Sequence, residues 1–259
     1  MPVNTSLDVC WCDDKKIFEY GPGIFGPKPE HRRLEAIRAS LCEPNCDGPD
    51  PVYSIVMDVG REEHLAELQS RMLLFGVVVY PGGRLGHEPV RSQGHVHAAS
   101  PHSGWSAPEL FEIWEGRAIV YAQQFVEDRP GRCVAIHAGP GDHVVVPPGW
   151  AHCVINVDPH ARMVFAACCD RQYGFVYDQI RAHGGLAWYP MLNDQDEIFW
   201  RPNQRYRAAP LIHHQAGSYK ELNLSVDISI YGQFARNPDS LQWVSEPSRF
   251  ASLWGSFEP

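Results

Sequence analysis

The sequence predicts an all-β protein, a sandwich or barrel of short strands with a few short peripheral helices. Between Met72 and Asp170 the apolar residues fall into short runs bounded by Gly and Pro. Helical spacing is confined to two brief segments that precede this region.

The first of these is Pro29–Leu41, where Pro29 and Glu30 favour a helix start and Leu34, Ile37 and Leu41 repeat at helical spacing. The second is Arg61–Arg71, with Leu65 and Leu68 on one face and charge on the other. The strand-like runs are Leu73–Tyr80, Leu110–Gln123, Cys133–His137, His143–Val146, Cys153–Val157 and Met163–Cys169. After Tyr177 the pattern is mixed and proline-rich, with one alternating segment at Leu222–Tyr231 that reads as an edge strand. The expected organisation is an N-terminal wrap over 1–71, a barrel over 72–180 and a C-terminal extension over 181–259 that packs on it.

A formal charge of -9 opposes binding to a phosphate backbone or an anionic membrane surface, so neither nucleic acid nor membrane is an expected partner. There is no run of about 18 apolar residues and no basic-then-apolar N-terminal leader, which reads as a cytoplasmic protein. The eight cysteines are then expected to be reduced. Cys10, Cys12, Cys42 and Cys46 would make a zinc site only if the fold joined the two pairs, and neither pair has the usual zinc-knuckle spacing.

The chemistry concentrates in two segments. In Gln93-Gly94-His95-Val96-His97 the two imidazoles are two residues apart, which on a strand points both to one face. Glu109 opens the next strand, where Phe111, Ile113 and Glu115 share its face while Leu110, Glu112 and Trp114 take the other. Glu115 is then about 20 Å further along the strand, and both it and Glu112 read as solvated or structural. Downstream, Pro147, Pro148 and Gly149 form a turn that delivers His152 to the start of a strand. Three imidazoles and a carboxylate suit one divalent first-row ion with open positions for water or substrate. Fe2+ is the expected ion, with Mn2+, Zn2+ or Ni2+ as alternatives.

Gly141 to Asn156 matches the second cupin motif, and His95-Val-His97 with Glu109 and Gly116 matches the first except for an insertion around Ser100 to Ala107. His102 lies in that insertion and reads as a surface residue. No role is assigned to His87, His137, His143, His160, His183, His213 or His214. Within the cupins the chain resembles the metal-dependent phosphoglucose isomerases, through Ser92-Gln-Gly-His-Val-His97, Val146-Pro-Pro-Gly-Trp-Ala-His152, Val79-Tyr-Pro-Gly82 and Asp50-Pro-Val-Tyr53.

This resemblance implies a double-stranded β-helix, usually dimeric, that holds the ion inside the barrel beside an open-chain sugar phosphate. Aldose and ketose would interconvert through an enediolate, with the metal as Lewis acid and Glu109 as the base. It also implies substrate contacts from Tyr53, Ser92, Gly94, Phe111 and Tyr177. Val77, Cys169 and Phe175 stand where the family carries donors for the phosphate, and no Arg or Lys stands out as a substitute. The rival expectations are an iron-dependent cupin oxygenase acting on an enol-bearing metabolite, and a non-catalytic metal or carbohydrate binder.

Overall fold

A computed structural model describes residues 3–259. Ten strands build the barrel: β1 (Glu30–Arg32), β2 (Tyr53–Met57), β3 (Leu73–Tyr80), β4 (Glu109–Glu115), β5 (Ala118–Gln123), β6 (Cys133–Ala138), β7 (His143–Val146), β8 (Ala151–Asn156), β9 (Met163–Asp170) and β10 (Leu211–Gln215). They form a six-stranded sheet in the order β7-β4-β9-β3-β2-β1 and a four-stranded sheet in the order β8-β5-β6-β10. All neighbours are antiparallel except β6 and β10. The result is the double-stranded β-helix of the cupins with short helices outside it.

The strands read as apolar runs because both faces of each sheet are covered. Val78, Tyr80, Phe111, Val120, Val154 and Phe165 meet between the sheets and form the barrel interior. Their neighbours Phe75, Val77, Leu110 and Val145 point outward beneath Tyr231, Phe234 and Trp243 of the C-terminal region. On the opposite side Ile119, Tyr121 and Ile155 pack under Ile180 and Leu186. Leu110–Gln123 is two strands, because the chain reverses at Gly116, whose φ is +78° and where a Cβ would lie 2.9 Å from the Arg162 carbonyl oxygen.

Three expectations change. Glu30–Arg32 is a strand paired with β2, followed by two 3-10 turns over Leu34–Ala36 and Arg38–Ser40. Leu34, Ile37 and Leu41 are nonetheless buried together, so the spacing reported the apolar face while the helix type was set by the sheet edge. Leu222–Tyr231 is not a strand: the Ser229 hydroxyl accepts the Gly232 N–H and caps a helix over Ile230–Arg236. Glu115 does not point into the barrel, because a bulge between Ile113 and Glu115 breaks the alternation and turns the carboxylate out to Arg162. The helix expected over Arg61–Arg71 is present as a 3-10 turn running into Leu65–Ser70.

Candidate metal centre

Four side chains converge at one end of the barrel interior. His97 lies on a two-residue strand, Val96–His97, that pairs with Phe175–Val176, and His95 exchanges both backbone hydrogen bonds with His152, each 3.0 Å. Glu109 opens β4, and His152 is the second residue of β8 after a turn in which Gly149 has φ +78°. The ligand atoms of His95, His97, Glu109 and His152 all lie within 4.8 Å of one another.

Their orientations are those of ligands. His97 Nδ1 lies 2.9 Å from the Ala107 carbonyl and His152 Nδ1 3.2 Å from the Trp150 carbonyl, so each Nδ1 donates and each Nε2 presents its lone pair. The three Nε2 atoms approach Glu109 Oε2 at 3.8 Å from His95, 3.3 Å from His97 and 2.8 Å from His152. His95 and His97 Nε2 are buried and have no hydrogen-bond partner. Buried nitrogens left orphaned around one carboxylate oxygen are costly, and a divalent cation is the partner that would satisfy them together.

Protonation follows the same geometry. Burial alone would raise the Glu109 carboxyl, but the neighbouring His97 and His152 imidazoles hold it well below the usual carboxylate range. Burial, reinforced by His152 and His97, pushes His95 far below the ordinary imidazole value and keeps it neutral. Burial also opposes charge on His97, yet the Glu109 carboxylate outweighs it and raises that group.

The insertion has a structural task. The Ser106 hydroxyl donates to the His97 carbonyl at 2.7 Å and accepts the Gly149 N–H at 3.1 Å, so the loop ties the two histidine segments together. His102 lies on this loop away from the four ligands. Among the described residues no other group of three or more His, Cys, Asp and Glu has its ligand atoms gathered in this way, and Cys10, Cys12, Cys42 and Cys46 do not come together.

A pocket opens onto this cluster. His95, Glu109 and His152 line it, together with Tyr53, Ser92, Gly94, Phe111 and Tyr177, whereas His97 stands behind them. Phe175 lines it too, but Val77 points into the opposite core and Val78 takes the pocket wall, because a one-residue step along a strand exchanges its faces. Cys169 does not line the pocket; Ala167 does. Arg32 is on the wall as well, a basic residue that the sequence did not single out. Sequence reasoning missed it because His31-Arg32-Arg33 carries no motif and was expected to be helical.

The model of the family described as Glucose-6-phosphate isomerase (GPI) matches residues 35–208, about two thirds of the chain. Glucose-6-phosphate isomerase of Thermococcus kodakarensis is 30% identical over 135 residues, 52% of this chain and 64% of the relative. The enzyme of the same name from Thermococcus gammatolerans is 29% identical over 135 residues, again 52% and 64%. The match thus spans a little under two thirds of these relatives' length. Among solved structures, vicilin from Corylus avellana is 12% identical with a TM-score of 0.38, over 61% of this chain and 37% of that one. No helix among the described residues is long and apolar enough to cross a membrane.

Proposed function

The chain belongs to the glucose-6-phosphate isomerase family, and on that premise we propose that it is a metal-dependent isomerase interconverting an aldose and a ketose, sugar or sugar phosphate. The observation that carries this reading is the placement of Glu109. All three imidazole contacts fall on its Oε2, and Glu109 is among the residues that line the pocket. Its neighbours keep the carboxyl in the unprotonated form that accepting a proton from C1 or C2 of an open-chain sugar requires.

An ion held by His95, His97, Glu109 and His152 would supply Lewis-acid polarisation of the substrate oxygens. The rest is the work of the chain. Val78, Phe111, Phe165 and Phe175 make an apolar wall that keeps bulk water from the reacting carbons. Tyr53, Ser92 and Tyr177 offer hydroxyls to the substrate, and Gly94 leaves room beside the ligands. Iron as the resident ion, a homodimer and a cytoplasmic location belong to the same proposal, the homodimer resting on the family resemblance.

The test is an oxygen-free assay of the iron- or manganese-loaded protein with glucose 6-phosphate, fructose 6-phosphate and the unphosphorylated sugars in D2O. Deuterium entering C2 with ketose formation is the expected result, and Glu109→Gln that retains metal should lose it. Absence of exchange with every sugar on metal-loaded protein overturns the reading, and substrate-dependent oxygen uptake would then assign the site to an oxygenase.

A further inference from the structure

We propose that Arg32 is the anion-recognising residue of the pocket, and that it grips a carboxylate or phosphate of the substrate. This rests on the isomerase reading and deepens it. Arg32 lies outside residues 35–208 that match the family.

The sheet edge places it. Arg32 ends β1 opposite Tyr53 of β2, and its carbonyl accepts the Val52 N–H at 2.8 Å, which fixes the backbone from which the side chain enters the pocket. It is the one Lys or Arg among the described residues that line the pocket. In a protein of formal charge -9, it is the one fixed positive charge on the pocket wall, facing Glu30 of the same wall.

The guanidinium is not saturated. Its Nη2 pairs with Glu30, whose side chain is 64% exposed, while its Nε is buried with no hydrogen-bond partner. Nε and Nη2 form the edge that grips two oxygens of a carboxylate or phosphate in parallel. Glu30 therefore takes half of that fork, in a pair exposed enough to contribute little and to yield to a better-placed anion. Tyr53 and Tyr177 line the same wall, and Arg181 stacks over Tyr177 at 4.8 Å and donates to Gln93 at 3.1 Å, steadying that side.

The experiment is calorimetric titration of the metal-loaded, oxygen-free protein with fructose 6-phosphate, glucuronate and fructose. At least one anion should bind about tenfold or more tightly than fructose, and which one does separates phosphate from carboxylate recognition. Arg32→Gln should erase that preference without changing fructose affinity or metal content. Arg32→Lys should restore part of it, because the charge returns without the fork. Glu30→Gln, at an exposed position, should strengthen anion binding several-fold. Equal binding of the three sugars, no binding of either anion, or a preference that survives Arg32→Gln overturns the proposal. Failure of the isomerase reading is separate, since missing deuterium exchange in a sugar that binds through Arg32 leaves this result standing.

Discussion

Glu112 Oε2 accepts the backbone N–H of Ile230 at 3.1 Å, which ties the strand bearing Glu109 to the first turn of the C-terminal helix Ile230–Arg236. The two carboxylates are three positions apart, and the pleat sends them to opposite faces, one to the metal centre and the other into the core beneath the extension. Glu112 is 1% exposed, and burial raises its carboxyl to about 7 from the ordinary 4.5 against the hydrogen bond from Ile230.

A stability profile against pH follows from this residue. The folded pKa is raised, so folding favours the protonated form. Its contribution is complete below the ordinary value near 4.5 and is lost as pH rises through about 7. Glu112→Gln keeps an acceptor for Ile230 and does not titrate, so its melting temperature should exceed that of the wild type increasingly from pH 5 to pH 8. The difference at the alkaline end is on the order of 3 kcal/mol. Parallel melting curves across that range would refute the raised carboxyl.

Metal binding should stabilise the protein through the orphaned imidazoles. Addition of Mn2+ at about a hundred times its dissociation constant is expected to add about 2.7 kcal/mol to the unfolding free energy. In His152→Ala that gain should be absent and elemental analysis should find little metal. Retention of stoichiometric metal in this variant would place the ion elsewhere.

The Ser106 hydroxyl bridges the His97 carbonyl and the Gly149 N–H, so it positions ligands without touching an ion. Ser106→Ala should weaken metal affinity by about tenfold, as loss of outer ligand support does. A competition titration with a chelating dye measures it. Unchanged affinity would mean that the loop is held by its other contacts.

Arg91 and Glu88 are a buried ion pair that joins the N-terminal segment to the barrel. The guanidinium donates to the Ser40 carbonyl at 2.8 Å, and Glu88 accepts the Cys42 N–H at 2.6 Å. Arg91→Ala leaves a buried carboxylate unpaired and should destabilise the fold by roughly 3–5 kcal/mol in urea denaturation. Replacing both residues by apolar ones should recover much of that loss. A single variant as stable as the wild type would show that water reaches Glu88.

By itself the sequence determined the barrel strands between Leu73 and Asp170 and the four candidate ligands. Both are local: apolar runs between Gly and Pro specify strands, and His-x-His or a Pro-Pro-Gly turn before a histidine sets side-chain direction within a few residues. Only the tertiary structure decided what depends on neighbours distant along the chain. Glu30–Arg32 became a strand because β2 offered it an edge, and Leu222–Tyr231 became turn and helix because Ser229 capped it over an occupied outer face. Glu112 is buried because residues more than a hundred positions later cover it, and Arg32 reaches the pocket because β1 lies at the rim. Spacing along a chain encodes which way a side chain points, and the covering layer and sheet edge that meet it are set by the packing of the whole.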